Sequence, residues 1–278
     1  MQSSDECWGQ FMSVSERWLL LDYQDDLLER LYREGDDPDP QGLFTGTELE
    51  PYADQSPQLI NAAENPAIAT AFLSNPGAWE GLQIDSQHPV QVVLKHLRHI
   101  LFIGFGGERR GVLRYFSPRT ASYFFTALEA AEWPIWLGPI GKLSWYGATW
   151  GESAERQAHW YRLENVHAEQ WQSDLQMKPL TLGANQAQAL QRQQMEKFLF
   201  QWWQQQTQVS FDQAFSYLQD GMQSGFVSAQ SLSRYLNIRS ANSAAIPPRM
   251  LPDGNDDERL SSLQVALQGS STFKEGLA

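Results

Sequence analysis

The sequence predicts an α+β fold, with an N-terminal α/β lobe holding a small mixed sheet flanked by helices, followed by an all-helical lobe. Three observations carry this. Short apolar runs bounded by Gly, Pro and Asp clusters alternate with helical periodicity over residues 1–182. Capped helical patterns then follow one another over residues 183–239, joined by short connections. Over residues 240–278 the composition turns to Ser, Ala, Pro and acids, which reads as a mostly flexible tail.

The first run, Arg17 to Asp22, is apolar and ends in an acid, and Leu27, Leu28 and Leu31 after it recur at helical spacing. Strand then helix is expected. Gly35 to Gly42 concentrates Pro, Gly and Asp as a solvated loop does, and Leu43 to Leu49 reads as a second short strand turning at Gly46. A helix is expected from Asn65 to Leu73, closed by the breaker Asn75-Pro76-Gly77. Ser86 to Leu101 gives a strong helix, with Val90, Val93, Leu94, Leu97 and Leu101 on one face and Pro89 in its first turn.

Leu101–Phe105 and Gly111–Phe116, joined by Gly106 to Arg110, read as a β-hairpin. Ser117-Pro118 has the form of an N-cap with proline at the first helical position, opening a helix to about Glu132. Trp133 to Trp150, dense in tryptophan, proline and glycine, suits an irregular or strand-like stretch against the sheet. In the helical lobe, Asn185 to Gln206 is one helix, Ser210 to Gln213 is a capping box opening the next, and Ser228 caps a third.

Charge restricts the partners. The 278 residues carry 33 acids against 20 bases, a net charge of −13, and residues 1–60 hold 14 of those acids with 3 bases. Affinity for nucleic acid or an anionic membrane comes from neutralising phosphate, which this chain is poorly charged to do. Proteins or small molecules are the expected partners. The lone Cys7 offers no intrachain disulfide, and Met1 to Trp18 lacks the basic start and apolar run of an export signal, so a reducing cytoplasmic setting is expected. The longest apolar stretches, His99–Phe105 and Trp133–Ile140, fall far short of the ~20 residues of a spanning helix.

Chemical motifs are sparse. Gly104-Phe105-Gly106-Gly107 lacks the spacing of a dinucleotide loop, and no Walker lysine or nucleophile elbow occurs. His96 and His99 share a helix face but have no third ligand nearby, and Asp253 to Glu258 departs from a calcium loop in its glycine position. No metal or cofactor is expected. Asp22 sits where α/β enzymes place an acid, with an N-cap role as the plainer reading. Arg98, Arg114 and Arg119 offer guanidinium forks that clamp carboxylates either of this chain or of a partner. Trp202 and Trp203 are adjacent, so one of them points off the helix's apolar stripe and is a candidate partner anchor.

The order of several segments carries a resemblance. Leu19 to Asp22, Leu43-Phe44-Thr45-Gly46-Thr47, Ser56 to Ile60, His96-Leu97-Arg98, Arg114-Tyr115-Phe116-Ser117-Pro118-Arg119 and Leu137 to Ile140 resemble the motifs of the effector adaptor (chaperone) family of bacterial type VI secretion, over about residues 17–145. Its members are catalogued as a domain of unknown function. Ser117 stands where the family usually has Asp, and Gln58 where it usually has Trp. The resemblance implies a non-enzymatic protein that holds a toxic effector in the cytoplasm and loads it onto the VgrG spike, with a cleft between two lobes as the grip. Arg98, Arg114, Arg119, Trp202 and Trp203 are the candidate partner-binding residues. Two rivals are a small-molecule enzyme using Asp22 and the arginines, and an immunity-like or regulatory binding protein.

Overall fold

The computed structural model describes residues 15–105, 109–172, 179–205, 208–248 and 252–275. Cys7 and most of the Gly106–Arg110 turn lie outside them. The fold class is α+β. Residues up to 149 together with 158–190 form one compact unit, and 150–157 with the residues from 191 onward form a second.

The first unit is built on a six-stranded sheet. Its strands are β1 (Glu16–Leu21), β2 (Gln41–Gly42), β3 (Gln58–Asn61), β4 (Gly81–Ser86), β7 (Lys142–Gly147) and β8 (His159–Glu164), in the order β2-β3-β1-β4-β7-β8. Every pairing in it is antiparallel. Strand β1 is apolar from Trp18 to Leu21 because it is central and both of its faces are covered there. Trp18 and Leu20 enter one core with Leu82, Ile84, Leu143 and Trp145. Leu19 and Leu21 enter another, under helices α1 (Leu27–Glu34), α2 (Pro66–Ser74) and α3 (Pro76–Trp79), with Leu31, Ile68 and Phe72. Gly81 is required where β4 crosses β1, since a Cβ there would lie 2.7 Å from Leu21 Cδ2 and 2.8 Å from the Leu20 carbonyl oxygen.

The larger core is closed by α4 (Val90–Ile100), which contributes Val93, Leu94, Leu97 and Ile100, and by α5 (Pro118–Phe124) and α6 (Trp133–Leu137). Beside it lies a three-stranded sheet. The expected hairpin forms as β5 (Phe102–Phe105) and β6 (Arg109–Val112), but its second strand starts within the expected turn and stops at Val112 rather than running from Gly111 to Phe116, and β9 (Leu180–Thr181) adds to β5 in parallel.

Several local expectations are corrected. Leu43 to Leu49 forms turns, and the paired residues are Gln41 and Gly42 just before it, because the Leu43 and Phe44 side chains are drawn into the core. Asn75-Pro76-Gly77 opens α3, as proline fits a first helical turn. The helix predicted from Ser86 begins at Val90, since Gly81–Ser86 is β4, paired on both sides. The helix expected to reach Glu132 stops near Ala127. Leu128 turns extended, and Glu129 starts a new short turn in a reciprocal capping box with Glu132.

The second unit is helical: α7 (Trp150–Ala154), most of α8 (Ala184–Trp203), α9 (Phe211–Gln223), α10 (Ala229–Ala241) and α11 (Asp256–Glu275). Ser210 and Ser228 cap α9 and α10 by accepting the Gln213 and Ser231 amides. The tail expected over 240–278 is corrected here. Helix α11 occupies 256–275, and Leu260, Leu263 and Leu267 are buried with Phe226, Tyr235 and Leu236. Three leucines among polar neighbours give a weak periodic signal, and the burial comes from α9 and α10 supplying the other half of a core.

Candidate functional site

The three arginines do not converge. Arg98, near the end of α4, donates from Nε to the Leu43 carbonyl and from Nη2 to that of Gly42, both at 3.1 Å. It thereby holds the turn after β2. Arg119, in the first turn of α5, donates to the carbonyls of Ala148 and Thr149, the latter at 2.6 Å, and so fixes the chain leaving β7. Each links two segments far apart in sequence.

Arg114 differs. Its Nη2 lies 3.4 Å from both oxygens of Asp22, its guanidinium lies 5.5 Å from the Phe116 ring centroid, and its side chain remains 64% exposed. Asp22 is buried at the end of β1, where its own amide donates to the Glu80 carbonyl and its Oδ1 accepts the Tyr23 amide at 2.8 Å. It is not an N-cap, because α1 starts only at Leu27, after Asp26. Burial pushes the Asp22 carboxyl above its usual range, and the Arg114 charge and the Tyr23 amide pull it partly back. Arg114 and Asp22 thus set a buried carboxylate under an exposed guanidinium.

His96 and His99 are separated by environment. His96 is buried, its Nε2 meets the Trp136 carbonyl oxygen at 3.0 Å, and its ring packs edge-on to Trp171. Burial pushes its pKa down to about 4. His99 is half-buried and is also lowered by burial. Among the described residues no group of three His, Cys, Asp or Glu is placed to hold a metal, and no helix is long and apolar enough to cross a membrane.

In the second unit Trp202 is buried and donates to Asn237 Oδ1 at 2.9 Å. Trp203 is half-buried, donates to the Val209 carbonyl at 2.9 Å and meets Phe211 edge-on. Both rings thus pack within the helical core, since the start of α9 folds back over the side that the helix stripe leaves uncovered. Glu196 is a member of this unit that the sequence reading missed. Buried at 1% exposure, it accepts the Gly151 amide at 3.0 Å and Arg192 Nε at 2.6 Å, tying α7 to α8.

Two cavities open on the first unit's main sheet. One, of about 330 Å³, is lined by Ser86, His88, Lys142, Glu164 and Asn165; the other, of about 510 Å³, by Arg17, Leu19, Ala69, Leu73 and Gln83. Ser15 and Asp85 line both, and Asp85 holds Arg17 at 2.7 Å and Lys142 at 3.8 Å between them. Asp22 and the arginines at 98, 114 and 119 line neither. The alternation Leu82-Gln83-Ile84-Asp85 was the available signal for this face, with apolar residues to the core and polar ones outward.

Residues 17–134 match the model of a family described as a domain of unknown function (DUF4123). The match runs from β1 into α6, and so takes in Asp22, Arg98, Arg114 and Arg119 but none of the helical unit. Neither the curated proteins nor the solved structures give a match. Within residues 17–134 these side chains fall at joints of the fold: Arg98 at the turn after β2, Asp22 with Arg114 where β1 ends, and Arg119 beside the end of β7.

Proposed function

We propose that this chain is an adaptor of type VI secretion, which binds an effector protein and brings it to the VgrG spike in the cytoplasm, acting by binding and not by turnover. The observation that carries the reading is the DUF4123 match over residues 17–134, a segment in which the adaptor-like motif residues occur in order. The engagement of Arg98 and Arg119 with main-chain carbonyls supports it, because guanidinium groups committed to internal joints are poorly disposed to bind a small-molecule substrate. Arg114 is the motif residue best suited to touch a partner, being largely exposed over a buried carboxylate.

The test is co-purification of the tagged chain with the effector and spike proteins encoded beside it. Capture of both is expected, and capture of neither would remove the reading. The enzymatic alternative predicts turnover of a phosphorylated or carboxylated metabolite that is lost in Asp22→Asn.

A further inference from the structure

The outer face of α1 and the corner next to it leave four large side chains in solvent. Leu27 and Leu31 turn into the core, whereas Leu28 and Tyr32, one helical turn apart, are 51% and 58% exposed. Tyr23, just before the helix, is 39% exposed, and Tyr52, in the 3₁₀ turn Glu50–Gln55, is 58% exposed. Single exposed apolar residues are ordinary, but a group of them on one helix face and its flank marks an interaction surface. Tyr23 is near enough to the 3₁₀ turn for the charge of its Asp54 to act on the phenol. Its hydroxyl donates to Asp25 at 2.8 Å, and this bond, with the charges of Asp25 and Asp54, pushes its pKa up.

The charge of this stretch is predominantly negative, although Arg110 pairs with Glu48 at 2.9 Å and Arg114 covers Asp22 from outside it. Residues 22–54 hold eleven acids and only two bases. Both bases are already engaged: Arg30 lies 4.2 Å from the Trp79 ring centroid and 3.6 Å from Asp26, and Arg33 pairs with Glu29 and Glu34 at 3.8 and 3.9 Å. Such a surface repels nucleic acid and anionic lipid, and it repels a second copy of this chain, which brings the same acids.

We propose that this face takes a cationic, amphipathic segment of a partner protein. The partner's apolar side chains cover Leu28 and Tyr32, and its Lys or Arg side chains reach Asp25, Asp54 and the faces of the tyrosine rings. Complementary charge steers and registers such contacts, and cation–tyrosine stacking adds attraction that a purely acidic face lacks. The proposal deepens the adaptor reading, resting on it for taking the carried partner to be a protein.

The test uses the full chain and a fluorescent peptide of Lys and Leu at helical spacing, beside a Glu/Leu twin. The Lys/Leu peptide is expected to bind, and to weaken about tenfold between about 0.05 and about 0.5 M salt. In Leu28→Gln/Tyr32→Gln, which keeps good helix formers, and separately in Asp25→Asn/Asp54→Asn, binding is expected to fall about tenfold, with thermal melts as the check on folding. Val227→Ala, 87% exposed in the helical unit, is expected to bind as the parent does. Equal binding of the Glu/Leu twin, no binding of the Lys/Leu peptide, or Lys/Leu binding indifferent to both variants would overturn the proposal. Effector captured equally by the parent and the Leu28→Gln/Tyr32→Gln variant would overturn this surface and keep the adaptor reading. Peptide binding without effector capture would do the reverse.

Discussion

At the scale of single residues, the buried polar groups divide by what compensates them. His96 is held neutral: its Nε2–H donates to the Trp136 carbonyl, and burial lowers its pKa to about 4 against an ordinary 6.5. The unfolded chain takes up a proton as pH falls through 6.5, and the folded chain does so only near 4, so stability is full above 6.5 and is lost on descent between those values. The loss amounts to about 3 kcal/mol, readable as the difference between urea melts at the two ends of the window, and an NMR titration of the imidazole gives the midpoint directly. A midpoint near 6.5 would show the ring to be solvated. Gly138 lies against this histidine at φ 55°, and a Cβ there would come within 2.5 Å of the ring, so Gly138→Ala is expected to cost about 3 kcal/mol in a thermal or urea melt. Asp22 behaves oppositely. Its raised pKa means that the ionised form is the disfavoured one, so Asp22→Asn is expected to hold or raise the melting temperature. Arg114→Ala, which leaves the carboxylate buried with less compensation, is expected to lose about 1 kcal/mol, and the double variant to recover it. Equal losses in all three variants would refute that account. Retained folding with lost effector binding in a charge-reversed Arg114 would mark a partner contact.

At the scale of elements, position in the assembly outweighs local propensity. Strand β1 is four apolar residues in succession because it divides two cores, and β4 alternates because the outer side of Gln83 and Asp85 faces the cavities. The short loop between α9 and α10, and the return of the chain as α11, let weak helices share one core. Leu263→Ala in α11 is expected to destabilise the helical unit by about 3 kcal/mol, and a chain ending at residue 255 to lose its cooperative melt, measured by circular dichroism. Survival of that melt would mean that α11 is dispensable. Ser210→Ala and Ser228→Ala each remove one accepted amide and are expected to cost about 1 kcal/mol.

At the scale of the whole molecule, excess negative charge sets solution behaviour and narrows the partners. Self-repulsion keeps the chain dispersed at neutral pH, and solubility is expected to reach its minimum near the isoelectric point of 4.8, inside the window in which His96 withdraws stability. Turbidity measured against pH checks this, and a minimum elsewhere would mean that exposed apolar groups outweigh charge. Much of the excess lies in the N-terminal stretch around α1.

The sequence by itself determined the α+β class, the hairpin at β5 and β6, the caps at Ser210 and Ser228, and the acidic N-terminal surface. Periodicity, capping and net charge are local properties that survive without knowledge of the neighbours. Only the tertiary structure decided that Arg98 and Arg119 serve main-chain joints while Arg114 covers Asp22, that both adjacent tryptophans pack inward, and that residues 256–275 complete a core. It also decided that Leu28 and Tyr32 stay in solvent while Leu27 and Leu31 do not, although all four fit one helix. Long-range pairing and burial depend on which surfaces meet after folding, and a hydrogen-bond donor or an apolar side chain carries no local record of which acceptor or neighbour it will find.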